Sequence, residues 1–368
     1  MTIDLQRFRE EIVRPSSEFR DAARQRQLVL TKPTGALGRL EDLSIWVAMV
    51  QGECPPKPFE RVRVVIFAGD HGVASAGVSA YPTEVTAQMV QNFLAGGAAV
   101  NALAATVGAS VRVVDMSVAT DIAGVPADVT RYKVRHSSGN IAVEDALTDA
   151  EVEQAFQAGV DIANDEVDAG ADLLIAGDMG IGNTTPAAAL IGLLGSKDAA
   201  SVTGRGTGID DEAWMRKAAA VRDAMRRGRG VKADQLKLLA TVGGADFAAM
   251  TGFLLQASVR RTPVVLDGLV SGACAMVAHR VAFRAAIWWR AGHRSVEPAH
   301  EMVLNRLQLE PLLDYQLRLG EGTGALLAVP LLRAAQATLT DMATFDEAGV
   351  SDREREDEPQ PLTLDDEA

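Results

Sequence analysis

The chain has 368 residues, a formal net charge of -13, two cysteines and only 5% aromatic residues. That length holds one large domain with an appendage, or two domains. No basic stripe offers itself to nucleic acid, and Cys54 and Cys274, far apart and without CxxC spacing, exclude a disulfide scaffold and a zinc ribbon.

The N-terminal "MTIDLQRFREEIV" is a charged amphipathic segment rather than a signal peptide, and residues 1 to 50 carry helical spacing in "DLQRFREEIV" and "GRLEDLSIWVAMVQG". Pro55, Pro56 and Pro58 stop that pattern, so a new unit is expected near Arg61. No apolar run is expected to span a membrane without a charge or proline in it. These features point to a cytoplasmic location.

Next come short β-branched runs alternating with glycine-rich loops and alanine-rich helices, the pattern of parallel strands joined by crossovers. The runs are "RVRVVIFAGDHG", "ASVRVVDMSV", "DLLIAGDMGIGNTTPAAALIGLL", "TPVVLDGLVSGACAMVA" and "AFRAAIWWRAGHRS". Alanine, glycine and valine dominate, which suits an α/β fold. Ligands of open parallel sheets bind beyond the carboxyl ends of the strands, and those ends read "GDHG", "GDMGIGNTT", "VGGAD", "LDGLVSG" and "GHRS". Helical spacing returns in "AHEMVLNRL" and from 323 to 339, with a kink expected at Pro330. The tail from about Thr340 is acidic, eleven acids facing only Arg353 and Arg355 after Thr340, and is expected to be disordered.

Several loops carry chemistry. In "GDMGIGNTTPAAAL" Gly177, Gly180 and Gly182 expose backbone N–H groups, Thr184 or Thr185 can cap, and Pro186 is preset for the first helical position, so free amides would face an anion such as phosphate; otherwise the loop is a tight strand-to-helix turn. It lacks the lysine of a Walker loop and the spacing of a dinucleotide fingerprint. "TGRGTGIDDEAWMRK" adds Arg205, Arg216 and Lys217 beside a second glycine cluster, with Lys217 the preferred phosphate partner. In "GVSAYPTEVTAQMVQ", Ser79, Tyr81 and Gln88 offer hydrogen bonds and an apolar face to a heteroaromatic ring, although packing alone also accounts for Tyr81.

His293, Glu297 and His300 have ligand-like chemistry, but Pro298 intervenes and HExxH is absent, so no metal is expected; His71 reads as a satisfied or substrate-adjacent polar residue. Within "GEGTGALLAVPLL", Glu321 either complements the first turn of a helix or serves as a general base that Gly320, Gly322 and Gly324 leave open to a ligand.

Taken in order, "KPTGALGRLE", "AGDHGV", "YPTEVTAQM", "GDMGIGNTT", "TGRGTG", "VGGADFAAMTG" and "LGEGTGALL" closely resemble the nicotinate mononucleotide:5,6-dimethylbenzimidazole phosphoribosyltransferase family of cobalamin nucleotide-loop assembly, over roughly residues 30 to 335. The resemblance implies a Rossmann-like parallel sheet with flanking helices and a small helical domain built from both chain ends, placed at 1–58 with 298–340, against a large domain at 59–297 and the tail at 341–368. It implies a homodimer whose sites are closed by the neighbouring subunit, small-molecule substrates, no cofactor, and neither nucleic acid nor membrane as partner.

The implied reaction is displacement of nicotinate from the anomeric carbon by a benzimidazole nitrogen, with inversion, giving α-ribazole 5′-phosphate. The pyridinium leaves neutral at its ring nitrogen, so the transfer needs a base but no acid. By resemblance that base is Glu321. Ser79, Tyr81, Gln88 and Leu319 fall where the benzimidazole is held, and Gly180, Gly182, Asn183, Thr184, Gly206 and Lys217 fall near the ribose phosphate. One departure is plain: the family usually has glutamate in "GEMGIGNTT" and this chain has Asp178, which either steadies charge on the ribose as a second catalytic group or caps a helix. The rivals are a related transferase acting on another azole or a purine, and a non-enzymatic nucleotide sensor.

Overall fold

The structure, a computed structural model, describes residues 3–352, and most of the acidic tail lies outside the described residues. Five parallel strands form one sheet in the order β2-β1-β3-β4-β5, where β1 is Val62–Gly69, β2 Ser110–Ser117, β3 Leu173–Met179, β4 Val264–Leu266 and β5 Trp289–Ala291. The central strands β1 and β3 are buried almost throughout, which is why they read as continuous apolar runs rather than as alternation. Strand order reverses between β1 and β3, the place where such sheets open a crevice.

Helix Ala245–Val259 packs on β1, β2 and β3 and crosses helix Asp149–Asp168, while helix Leu269–Val281 packs on β3, β4 and helix Thr184–Gly195. The first crossing is close because glycines face backbone on both sides. A Cβ on Gly159 would lie 1.7 Å from the Ala249 carbonyl oxygen, and one on Gly252 would lie 2.3 Å from that of Phe156.

Four expectations are corrected. The strand within "AFRAAIWWRAGHRS" covers only Trp289–Ala291, because Phe283–Trp288 forms a 3-10 helix. "VGGAD" ends no strand; it joins helix Gln235–Val242 to helix Ala245–Val259. Helix Thr323–Asp341 carries Pro330, the site of the expected kink, in its interior. Residues 85–107 do form a long apolar run free of charge and proline, but Gly96, at φ +79°, ends helix Glu84–Ala95, and a second helix begins at Ala99. The tail begins later than Asp341, since Thr344 and Glu347 exchange hydrogen bonds of 3.2 and 2.8 Å in a capping box that starts helix Phe345–Ala348.

The chain divides into two compact units, Met1–Ser16 with Pro58–Arg333 and Ser17–Lys57 with Ala334–Ala368, a division drawn differently from the expected one at both ends. Helix Gln6–Glu11 goes with the sheet because Phe8 is buried edge-on against Phe156 at 5.7 Å. Helix Pro298–Leu307 goes with it too, with Val303 against Gly272 of helix Leu269–Val281. In the smaller unit, helices Ser17–Val29 and Arg39–Gln51 bury Ala23, Leu30 and Ala48 with Leu339, and Arg26 Nε donates to the Leu339 carbonyl at 2.6 Å.

Candidate active site

The loop before helix Thr323–Asp341 comes to lie against the carboxyl ends of β3 and β4. Gly320, Glu321 and Gly322 all have positive φ, at +85°, +62° and +90°. The approach is so close that a Cβ on Gly177 would sit 2.4 Å from the Glu321 carbonyl oxygen. The Glu321 N–H donates to the Asp178 carbonyl at 3.2 Å, and Asp267 accepts from the N–H groups of Gly322 and Ala325 at 3.2 and 3.0 Å. Glu321 thus precedes the helix rather than occupying its first turn.

Its carboxylate is 4% exposed, and Oε2 accepts the Val100 N–H at 3.3 Å at the start of helix Ala99–Val107. Burial raises its pKa above the ordinary glutamate value; the Val100 N–H opposes that rise, and the charge of Asp267 adds to it. A raised pKa makes this carboxylate more basic than one in water, as a proton acceptor should be.

Asp178, near the end of β3, accepts from Asn183 Nδ2 at 2.8 Å. Burial first, and then the neighbouring Asp267, push its pKa up to about 8. It therefore caps no helix. Asn183 spends its side chain on Asp178, and the Thr184 hydroxyl is taken by Lys217, so helix Thr184–Gly195 begins without a side-chain cap and Pro186 is its third residue rather than its first. This corrects the capping expected of Thr184 or Thr185.

Lys217, from helix Asp211–Gly228, is 1% exposed and donates to Thr184 Oγ1 at 2.8 Å and to the Gly204 carbonyl at 3.1 Å. Burial lowers its pKa to about 8, against the opposing charge of Glu297. Gly206, at φ +48°, lies so near that a Cβ there would be 3.1 Å from both Lys217 Nζ and Thr184 Oγ1. Glu297 Oε1 accepts the Gly206 N–H at 2.9 Å, and Arg318 donates to its carbonyl. A cleft of about 440 Å³ opens beside this loop, lined by Thr203, Gly204, Arg205, Trp214, Glu297 and Arg318, a size that suits a small ligand.

The structure thus brings Asp178, Asn183 and Glu321 into one group and Thr184, Gly206 and Lys217 into another. Gly180 is packed on the Gly69 carbonyl oxygen, where a Cβ would come within 1.9 Å, and Gly182, at φ +90°, faces Ala74. The remaining expected residues lie more openly. Tyr81 and Leu319 are each 56% exposed, Gln88 is exposed on helix Glu84–Ala95, and Ser79 Oγ accepts the Tyr81 N–H at 3.2 Å.

The His293 and His300 rings lie 6.0 Å apart, with His293 Nε2 3.6 Å from Asp267 and His300 Nδ1 accepting the Ser295 N–H at 3.0 Å, while Glu297 turns to Gly206. His71 is buried against Asp246 at 3.1 Å and Phe247. Sequence reasoning missed Asp267, Arg318 and Thr207; an aspartate closing the β4 run in "LDGLVSG" was the available signal for the first.

A family model described as phosphoribosyltransferase matches residues 12–350. The nicotinate-nucleotide–dimethylbenzimidazole phosphoribosyltransferase of Mycolicibacterium paratuberculosis is 62% identical over 333 residues, covering 90% of this chain and 94% of that protein. The protein of the same name from Mycobacterium tuberculosis is 60% identical over 339 residues, covering 92% and 93%. The crystal structure of CobT from Thermus thermophilus superposes with a TM-score of 0.87 at 46% identity, over 91% of this chain and 99% of that one. A match this long, carried through every loop described above, shows that the chain belongs to the nicotinate-nucleotide–dimethylbenzimidazole phosphoribosyltransferase family.

Proposed function

We propose that this chain transfers the 5-phosphoribosyl group of nicotinate mononucleotide to 5,6-dimethylbenzimidazole, with inversion at the anomeric carbon, giving α-ribazole 5′-phosphate and nicotinate in cobalamin biosynthesis. The observation that carries the reading is the buried Glu321 carboxylate, presented by a left-handed residue between two glycines. One azole nitrogen attacks the anomeric carbon, the glycosidic bond breaks with its electron pair going to the pyridine nitrogen, and Glu321 takes the N–H proton from the other azole nitrogen. No proton is needed by the leaving group.

Lys217 and Thr184, beside the Gly206 loop and with the backbone N–H groups of Gly180 and Gly182, receive the phosphate. Asp178 holds a proton at neutral pH while the site contains only protein groups. A bound cationic pyridinium favours its ionised form, so the carboxylate charge develops where positive charge builds on the ribose. Ser79, Tyr81, Gln88 and Leu319 hold the benzimidazole, and the exposure of Tyr81, Gln88 and Leu319 in the single chain supports a homodimer in which a second copy covers them. The two free cysteines suit a reducing cytoplasm.

The test is mass-spectrometric identification of products when the protein is mixed with nicotinate mononucleotide and a panel of azoles and adenine. α-Ribazole 5′-phosphate as the dominant product is the expected result. Release of nicotinate only with another acceptor, or no release at all, would overturn the assignment.

A further inference from the structure

A non-glycine residue at φ +62° sits in a left-handed region that is costly for any residue with a Cβ. The glycines on either side of Glu321 add freedom rather than restraint. Such a segment holds a side chain in one place only if something outside it does the holding, and a general base must be held: a misplacement of about 1 Å can cost about a hundredfold in rate.

That outside group is Asp267. It follows β4 directly and is fully buried, and it divides its two oxygens between Gly322, the residue after Glu321, and Ala325, in the first turn of helix Thr323–Asp341. One side chain therefore ties the exit of the loop to the start of the helix. Asp267 is itself fixed, because its N–H donates to Ser271 Oγ at 2.9 Å and His293 Nε2 stands 3.6 Å from Oδ1. The His293 ring in turn presses on the start of that helix: a Cβ on Gly324 would come within 1.9 Å of its Cδ2, so only glycine fits there.

We propose that Asp267 is a positioning residue for the transfer, fixing the Glu321 carboxylate through the backbone N–H groups of Gly322 and Ala325, with His293 bracing Asp267 from the far side. The proposal rests on the reading of Glu321 as the base. It makes a specific division of effects. Neither residue touches the phosphate group built around Lys217, Thr184 and Gly206, so losing the brace slows the chemical step and leaves mononucleotide capture alone.

The experiment compares Asp267→Asn, His293→Gln and Glu321→Gln in steady-state kinetics, with near-ultraviolet circular dichroism to normalise to folded protein. An asparagine offers one acceptor oxygen where two N–H groups need one each, and its amide faces the other donor. Asp267→Asn is expected to lower kcat about 10- to 100-fold with the KM for nicotinate mononucleotide within about twofold of the parent. His293→Gln gives the same split at a smaller loss, about 3- to 10-fold, and supplies the reading if Asp267→Asn does not fold. Unchanged kcat in the folded variants, even with a lowered melting temperature, overturns the proposal, as does an effect confined to KM. Should Glu321→Gln turn over normally, the base assignment fails instead; a slow Glu321→Gln beside a normal Asp267→Asn sinks only the positioning role.

Discussion

Thr207 Oγ1 accepts the backbone N–H of Ala80 at 3.0 Å, tying the loop that carries Ser79 and Tyr81 to the loop that carries Gly206. Arg318, just before Leu319 and Glu321, reaches the Gly206 carbonyl from the other side. The loop at 203–208 therefore lies between the groups assigned to the azole and those assigned to the phosphate. A neutral, exposed hydrogen bond of this kind contributes at most about 1 kcal/mol, or roughly fivefold in an equilibrium. Thr207→Val keeps the shape and removes the acceptor. Its KM for dimethylbenzimidazole should rise by up to about fivefold with kcat little changed; two-substrate kinetics in which the azole KM does not move would break the link.

Glu321 makes a prediction through its pKa. Burial raises it, so the ionised base is lost at a pH above the ordinary glutamate range as the solution is acidified. Activity should accordingly fall on the acid side with a midpoint above about 4.5, and Glu321→Gln should lower kcat by about 10² to 10⁴ above that midpoint, the gap narrowing below it. A pH–rate profile that stays flat down to the ordinary glutamate value would contradict the burial argument.

Lys217 acts in the opposite direction. Its pKa is lowered to about 8, so raising the pH through 8 strips the charge from the free enzyme, whereas a bound phosphate dianion favours the protonated amine. The KM for nicotinate mononucleotide should therefore climb above pH 8. A charge-assisted contact contributes about 1.5 to 3 kcal/mol, so Lys217→Met should raise that KM by about 10- to 100-fold near pH 7 and abolish the alkaline climb. Persistence of the climb in Lys217→Met would assign it to another group.

The strands β1 and β3 were legible because parallel strands buried on both faces read as near-continuous apolar runs, and β2 because its valines cluster in a short run. β4 and β5 keep only three residues each, and their limits depend on what the neighbouring strand can pair with, which no local pattern encodes. Among the site residues, Glu321 and Lys217 were legible through the glycines around them. Asp267 was legible only as an acid closing the β4 run; its role was not, because its partners are backbone N–H groups 55 and 58 positions away, and a backbone donor leaves no side-chain signature in the sequence. The cap expected of Thr184 failed for a related reason: its hydroxyl had a better partner in Lys217, on a different helix.

Asp178 supplies a prediction about stability rather than rate. With its pKa pushed up to about 8, the folded protein holds a proton there that the unfolded chain, with an ordinary aspartate, releases near pH 4. A group of this sign stabilises the fold fully below the unfolded pKa, and that contribution drains away as pH rises through the folded one. Between about pH 4 and pH 8 the protein should therefore lose melting temperature on this account. Asp178→Asn keeps the shape and the contact with Asn183 while removing the titration, so its melting temperature, followed from pH 5 to pH 8.5, should decline less steeply than that of the parent. Parallel curves for the two proteins would mean that Asp178 is already ionised in the fold, and with it would go the proposal that substrate binding draws out its charge.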